Sequence, residues 1–427
     1  MRSLLPKVLH PILFQPMLHH VLRLTKGIPH ASITAVLGHG EREVKDACFS
    51  YPDLKYVSQK EQLGTAHAVM QAKELLAMKS GHVLILCGDV PLLKLESIGR
   101  LLNEHETQKA ACTVVTTILQ NPTGYGRILK NAKDQMIGIR EEKDATAKER
   151  KITEINAGIY CFEIAALADS LKKIKNDNEQ AEYYLTDVIE LLVQAKKKVA
   201  TILFEDSDEV MGINDRLALC QAEKILQKRI NTDHMLKGVT IHLPETVLID
   251  AETQIESDVE IEPNCSIIAS NLRRGSHLKQ GCYIESSIVG EDSSVGPYAH
   301  LRPGSELGKK CKIGNFVELK KAHMKDGSKA SHLSYIGDAE VGKNTNIGCG
   351  FVTCNYDGFK KHKTTIEDDV FIGSDSQVVA PVTIGSGAYI ASGSTITQNV
   401  PKDALALSRT RQVNKEGYAK KIRDSKK

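Results

Sequence analysis

The chain has 427 residues, too many for one ordinary hydrophobic core, so two or three domains are expected. A hydrophobic content of 41% with 26% charged residues excludes a disordered or fibrous chain. The net charge of +3 gives no reason to expect nucleic acid or an anionic membrane as a partner. Ten cysteines are scattered without a Cys-x-x-Cys pair, and the nearest two, Cys349 and Cys354, fit neither a zinc ribbon nor a disulfide scaffold; reduced thiols of a cytoplasmic protein are expected. No apolar run approaches the ~20 residues of a membrane span. Pro6, Pro11 and Pro16 interrupt any signal-like apolar core, so the N-terminus reads as mature protein.

In chain order, Ser32–Leu37, His82–Cys87, Ala111–Ile118 and Lys198–Phe204 read as buried strands, with helical stretches such as Ala66–Ala77 and Tyr184–Gln194 between them. Alternating strands and helices predict an α/β domain with a mainly parallel sheet over residues 1–214. From Asp215 the pattern turns helical, with Leu217, Ala218, Ala222, Ile225, Leu226 and Ile230 on one side, Asp215 as N-cap and Gly238 as stop. This predicts a linking helix over 215–237.

Beyond it the apolar residues recur every six positions: Ile249, Ile255, Ile261 and Ile267; Val289, Val295, Leu301, Leu307, Ile313 and Leu319; Ile366, Ile372, Val378, Ile384, Ile390 and Ile396. A helix would space them by three and four, and a lone strand by two. A period of six means short strands joined by tight turns, three hexads to a triangular coil, with the aliphatic side chains stacked along a common axis. A parallel β-helix over 238–408 follows, and phase shifts near 268–288, 320–340 and 350–365 are expected to be inserted loops, where chemistry is usually placed. Residues 409–427 form a basic tail, eight Lys and Arg against Glu416 and Asp424.

Two sets of residues carry possible chemistry. Asp89 follows the strand His82–Cys87, and the carboxyl ends of strands are where open α/β sheets bind ligands. A carboxylate there suits Mg²⁺ beside a phosphate, and equally a turn or helix cap. In the second half, Arg302, Lys320, His332 and Tyr335, and Asn355 with Tyr356, cluster at the phase shifts. Basic side chains at irregular breaks in a solenoid suit a phosphorylated, hydroxyl-rich substrate.

Taken in order, Ser3-Leu-Leu-Pro-Lys-Val-Leu-His10, Gln59-Lys-Glu-Gln-Leu-Gly-Thr65, Cys87-Gly-Asp-Val-Pro-Leu92, Pro122-Thr-Gly-Tyr-Gly-Arg127, Glu154-Ile-Asn-Ala-Gly158 and Gly212-Ile-Asn214 precede the hexads. Together they resemble the bacterial bifunctional N-acetylglucosamine-1-phosphate uridylyltransferase and glucosamine-1-phosphate N-acetyltransferase family over essentially the whole chain. The resemblance implies a Rossmann-like nucleotidyltransferase domain, a left-handed β-helix and a homotrimer. For the first half it implies uridylyl transfer from UTP to N-acetylglucosamine 1-phosphate with release of pyrophosphate. Asp89 and Asn214 would hold Mg²⁺, and Lys7 would neutralise phosphate charge. Gln59, Gly64 and Thr65 would bind the uracil end, and Gly126, Glu141, Asn156 and Thr186 would line the acetylated sugar. Family members begin with a strand and a glycine-rich loop just before the Met that opens this chain, so weak or absent uridylyl transfer is expected. Cys87 also departs from an aromatic residue common in the family.

For the second half the resemblance implies acetyl transfer from acetyl-CoA to glucosamine 1-phosphate. His332 would be the general base, a role histidine suits because its ordinary pKa of roughly 6.5 lies near working pH. Arg302 and Lys320 would clamp the phosphate, and Tyr335, Asn346, Asn355 and Tyr356 would orient the acceptor. Ser374, Ser392 (often Ala in the family) and Arg409 would meet acetyl-CoA. Three other readings remain open at this level: a zinc-dependent hydratase using histidines among His277, His300, His323 and His332, a non-catalytic sugar-nucleotide sensor, and a different hexose-phosphate nucleotidylyltransferase.

Overall fold

The computed structural model describes residues 1–30 and 32–426. The chain divides into two compact units, Met1–Leu226 and Gln227–Lys427. A helix runs from Arg216 to Leu236, and the division falls part-way along it, not at either end.

In the first unit the four expected strands are present at Ile33–Leu37, His82–Ile85, Cys112–Ile118 and Val199–Leu203. Ile33–Leu37 pairs in parallel with Leu54–Ser58, and Val199–Leu203 pairs in parallel with Cys112–Ile118. The sheet is less parallel than the strand–helix alternation suggested. Glu154–Glu163 runs antiparallel between His82–Ile85 and Cys112–Ile118 and also meets the hairpin Arg127–Lys130/Met136–Arg140. Its sequence, Glu-Ile-Asn-Ala-Gly-Ile-Tyr-Cys-Phe-Glu, is buried on both faces along most of its length, so periodicity carried no sign of its direction. The expected helix 66–77 is two short helices, Thr65–Met70 and Lys73–Leu76, broken at Gln71–Ala72.

The second unit is a parallel β-helix. Each short strand pairs with the strand three further along, so three strands complete one coil. The pairing registers place the apolar residues directly over one another. One column runs Ile249, Ile267, Ile284, Leu301, Leu319, Ile336. A second runs Ile261, Leu278, Val295, Ile313, Ala330, Ile347, Ile372, Ile390. A third runs Ile255, Leu272, Val289, Leu307, Met324, Val341, Ile366, Ile384. Apart from Ile255, which packs against its edge, all these residues lie in one buried core. Each Val, Leu, Ile or Met among them contributes about 1.5–3 kcal/mol by leaving water. The turns between hexads are made by single residues in the left-handed region, including Asp258, Asn264, Asp292, Tyr298, Asn344, Asp369 and Asp375.

Only one of the three phase shifts is an inserted loop. Around 268–288 and 320–340 the inward residues come five apart, from Ile267 to Leu272, Ile284 to Val289, Leu319 to Met324 and Ile336 to Val341. Each is a corner with one residue fewer, turned by a left-handed Ala269, Ser286, Lys321 or Asp338. Because the shortened corners stack, the register above and below survives. The third shift is a true insertion: Val341 pairs with Ile366, and the extra residues leave the coil as a loop after Cys354.

The open lower end of the β-helix leaves backbone carbonyls without a coil beneath them. The C-terminal half of the Arg216–Leu236 helix closes it. Asn231 Nδ2 donates to the carbonyls of Pro244 (2.7 Å) and Val247 (2.9 Å), Gln227 Nε2 donates to those of Glu245 and Val247, and Ile230 packs on the core. No helix among the described residues is long and apolar enough to cross a membrane, and the ten cysteines are free thiols.

A buried histidine, His105, makes the first unit pH-sensitive. His105 is fully buried, 2.9 Å from His82 and 3.0 Å from the Thr113 hydroxyl, and burial followed by His82 holds its pKa below the ordinary value. A folded pKa below the unfolded one means the unfolded state gains the proton first, so stability is complete above about pH 6.5 and declines as pH falls through it. Urea unfolding midpoints of the whole chain should be lower at pH 5.5 than at 7.5, and replacing His105 with Asn should flatten that dependence.

Candidate functional site

In the first unit the structure gathers the sequence-predicted residues into two groups. Lys7 Nζ lies 2.5 Å from Asp89 and 2.8 Å from Asn214 Oδ1, joining three residues far apart in the chain. The Ile213 amide donates to the Asp89 carbonyl, which holds the Asn214 turn against the strand end. Asp89 and Asn214 thus present a carboxylate and an amide oxygen side by side, the hard donors that Mg²⁺ takes together with phosphate oxygens and water. The fit is of that partial kind, because no group of three or more His, Cys, Asp or Glu among the described residues is arranged to enclose a metal.

The second group surrounds a carboxylate. Glu141 accepts from the Thr186 hydroxyl at 3.0 Å, and its pKa is raised, mainly by burial. Asn156 donates to the Tyr160 hydroxyl at 2.6 Å, and the Asn156 amide donates to the carbonyl of Gly126 at 2.9 Å. A side chain at Gly126 would meet Ile139 at 2.8 Å and approach Glu141, so glycine keeps the space before Glu141 open. Next to Thr186, burial and then Glu190 push Asp187 up to about 6. Gln59 and Thr65 belong to a neighbouring turn: Gln59 donates to the Gly64 carbonyl, and Thr65 Oγ1 accepts from the Leu185 amide. Gly64 has φ +105°, and a Cβ there would lie 2.6 Å from the Tyr183 carbonyl oxygen, so no other residue fits. Cys87 is half-buried against the Gly158 carbonyl, its thiol pushed up to about 12 by desolvation and then by Asp89. Tyr160 was not anticipated; its only sequence signal is its position four residues after Asn156, on the same strand.

On the β-helix most of the predicted residues fall on one face and one corner, with Asn346 and Tyr356 apart from them. Arg302, Lys320 and Gly337 are register partners in successive coils, as are Glu318 and Tyr335. Arg302 pairs with Glu318 at 2.8 Å, and Lys320 approaches Asp338 at 3.8 Å. Asn355 donates to Asp338 at 2.5 Å and lies 3.4 Å from the Tyr335 hydroxyl. A Cβ at Gly337 would run into the Tyr335 hydroxyl and come within 2.7 Å of Asn355 Nδ2. Glycine there keeps this polar floor assembled.

His332 stands at the adjoining corner, exposed, with Nδ1 3.3 Å from Asn315 Oδ1. An amide oxygen only accepts, so this contact places the proton on Nδ1 and leaves the Nε2 lone pair free. The same corner continues upward through backbone hydrogen bonds: Gly350 amide to Leu333 carbonyl, Asp375 amide to Cys349 carbonyl, Gly393 amide to Ser374 carbonyl. Arg409 then donates to the Ser392 carbonyl at 2.8 Å. His332, Ser374, Ser392 and Arg409 therefore mark one continuous edge. Asn346 is not with Tyr335; it pairs with Lys329 and Phe371 on the face across that edge. Tyr356 is exposed on the inserted loop and donates to the Gly358 carbonyl of that loop.

Lys361 was missed. It lies on the inserted loop, where a side-chain hydrogen bond with Lys320 and then the like charge of that residue lower its pKa. The signal available in sequence was the basic run Lys360, Lys361 and Lys363 within the one long break of the hexads.

Residues 3–221 match the nucleotidyl transferase family, and residues 286–321 and 363–398 match the bacterial transferase hexapeptide repeat. The chain is 47% identical over 439 residues to the bifunctional protein GlmU of Brevibacillus brevis, covering 99% of this chain and 95% of that one. The GlmU proteins of Pelobacter propionicus (47% identical) and Listeria innocua (44%) each match 100% of this chain and 96% of their own. The chain belongs to the bifunctional GlmU family. It is an enzyme with two transferase activities, nucleotidyl transfer in the first half and acetyl transfer on the hexapeptide half. The β-helix expected from the hexads is the one observed, and the nucleotidyltransferase domain implied by the resemblance is the one matched.

Gly337→Ala tests the polar floor. The added methyl should displace the Tyr335 and Asn355 side chains and lower acetyl transfer about tenfold or more. Because those are side-chain ends and not backbone, the thermal midpoint should move by only a few degrees.

Proposed function

We propose that the β-helix unit transfers the acetyl group of acetyl-CoA to the 2-amino group of glucosamine 1-phosphate. The observation that carries this reading is the edge running from His332 to Arg409 beside a face bearing Arg302 and Lys320. The pantetheine arm would lie along the edge by Ser374 and Ser392, with Arg409 near the CoA phosphates. The thioester carbonyl would then come down beside His332. Arg302 and Lys320 would take the sugar phosphate, while Tyr335 and Asn355 would orient the ring hydroxyls; Asn346 and Tyr356 would contribute from across the edge and from the loop. His332 Nε2 accepts a proton from the amine as nitrogen bonds to the carbonyl carbon. The C–S bond breaks, and the CoA thiolate leaves and is protonated. Holding acceptor and thioester together supplies much of the acceleration, and proton transfer to histidine adds a factor of about 10²–10⁴.

For the first unit we propose uridylyl transfer from UTP to the N-acetylglucosamine 1-phosphate so formed. Asp89 and Asn214 would hold Mg²⁺, which when bound neutralises charge on the triphosphate and on the leaving pyrophosphate. Lys7, already between those two residues, would move its ammonium onto phosphate oxygens. Gln59 with Gly64 and Thr65 would read the base, and Gly126, Glu141, Asn156 and Thr186 would close around the acetylated sugar. A homotrimer in the cytoplasm is the setting we propose, with neighbouring β-helices flanking the acetyl-transfer edge.

His332→Ala should abolish acetyl transfer in a thiol-release assay while leaving the circular dichroism spectrum unchanged; retained turnover would refute the general-base role. Arg302→Ala and Lys320→Ala should raise KM for glucosamine 1-phosphate more than KM for acetyl-CoA. Pyrophosphate release from UTP and N-acetylglucosamine 1-phosphate should require a divalent cation and fall about a hundredfold in Asp89→Asn. The size of the wild-type rate tests the sequence-based expectation of weak transfer.

A further inference from the structure

The segment Pro122-Thr-Gly-Tyr-Gly-Arg127 ends in a buried cation. Arg127 is 1% exposed and is the largest of the fully buried side chains. Its guanidinium donates through Nη2 to Glu142 Oε2 at 2.6 Å and through Nη1 to the Tyr125 carbonyl. The same Glu142 oxygen accepts from the Gly124 amide at 3.3 Å. Gly124, Tyr125, Arg127 and Glu142 therefore form a closed ring that clasps this turn to the segment following the strand Met136–Arg140. The Nε proton of Arg127 is buried without an acceptor, so the cation is not fully paired even here.

The ring joins the neighbours of two residues proposed to line the acetylated sugar. Arg127 follows Gly126, and Glu142 follows Glu141. A Cβ at Gly126 would lie 3.5 Å from one Glu141 oxygen, while the other accepts from the Thr186 hydroxyl. The strand ladder does not set that gap. Arg127 is the last paired residue of its strand, opposite Arg140, and Glu141 and Glu142 lie beyond the end of the partner strand. Nor does stability account for the charge. Burying a guanidinium costs more than one ion pair commonly returns, and apolar residues of similar size often serve a core as well. What arginine adds is a planar fork that holds two acceptors at fixed angles.

We infer that Arg127, acting through Glu142, is a positioning residue that fixes the gap between Gly126 and Glu141 for the acetylated sugar. The inference rests on the uridylyl-transfer reading above and adds two residues to which that reading assigned no part. Arg127 is sealed from solvent, so it acts on the sugar only through the segments it joins.

The experiment uses the full chain and steady-state pyrophosphate release, with N-acetylglucosamine 1-phosphate and UTP varied in turn. Arg127→Met should raise KM for the sugar phosphate about tenfold and leave KM for UTP within about twofold of wild type. The double variant Arg127→Met/Glu142→Gln should show the same KM defect and no more, because both residues act through one contact. Its thermal midpoint should stay within a few degrees of wild type. Glu142→Ala, at a side chain 28% exposed, tests the same contact without opening the core and should also raise KM about tenfold. Glu142→Gln keeps an oxygen for Arg127 and the Gly124 amide and should recover most of that loss. Affinity for UDP-N-acetylglucosamine, measured by calorimetry, should fall by the same factor in Arg127→Met and Glu142→Ala. Unchanged KM for the sugar phosphate, equal effects on both substrates, or defects that follow the thermal midpoint would each overturn the positioning role. A wild-type chain that neither turns over nor binds UDP-N-acetylglucosamine would instead overturn the uridylyl-transfer reading.

Discussion

The register of one coil upon the next is the constraint on which the second half of the molecule depends. Parallel strands only two or three residues long cannot hold themselves together. Each is fixed because its aliphatic residue lies on the aliphatic residue of the coil below, as Leu278 lies on Ile261 and Val295 on Leu278. Once those columns are set, every other residue of a hexad has a defined place: beside the column on a flat face, or at a corner. Corner backbone then bonds to corner backbone, and the surface acquires straight edges and rows.

That regularity explains how residues spread over more than a hundred positions come to one site. Arg302, Lys320 and Gly337 share a row because they follow Leu301, Leu319 and Ile336. His332, Ser374 and Ser392 share an edge because each lies in the turn between the same two columns. The shortened corners at Lys321 and Asp338 turn Asp338 toward Lys320, and the insertion after Cys354 sends Asn355 and Lys361 back over the same face. Buried Thr353 stands in the Ile336 column and exchanges hydrogen bonds with the Gly337 amide and carbonyl, so even the core under the site is partly polar. The residues proposed for acetyl transfer gather where the repeat is broken, with intact coils on either side.

The first unit solves the same problem without a repeat. Most of the residues proposed for its site sit near strand ends, and backbone bonds dock those segments on one another. Ile213 bonds to Asp89, Ala66 to Tyr183, and Asn156 to Gly126. Glycine appears where two backbones approach closely, at Gly64 and Gly126. The cost is a pair of perturbed acids, Glu141 and Asp187, both raised mainly by burial.

The period of six was decided by the amino-acid order alone, because only an axial stack of coils lets one aliphatic residue in six be buried. The four strands of the first unit and the helix after Asp215 were legible for the related reason that burial imposes its own spacing on apolar residues. Residue types also pointed to the chemistry proposed here, once the motifs were taken together: a carboxylate after a strand, cations and a histidine at breaks in a solenoid. What sequence could not decide was direction and closure. The antiparallel run of Glu154–Glu163 was hidden by burial on both faces, and shortened corners looked like insertions because a lost residue and a gained loop both break the phase. The Lys320–Lys361 pair, the contact of Lys7 with Asp89 and Asn214, and the separation of Asn346 from Tyr335 exist only after coils stack and turns dock. Distances between residues remote in the chain are set by packing, which no local pattern records.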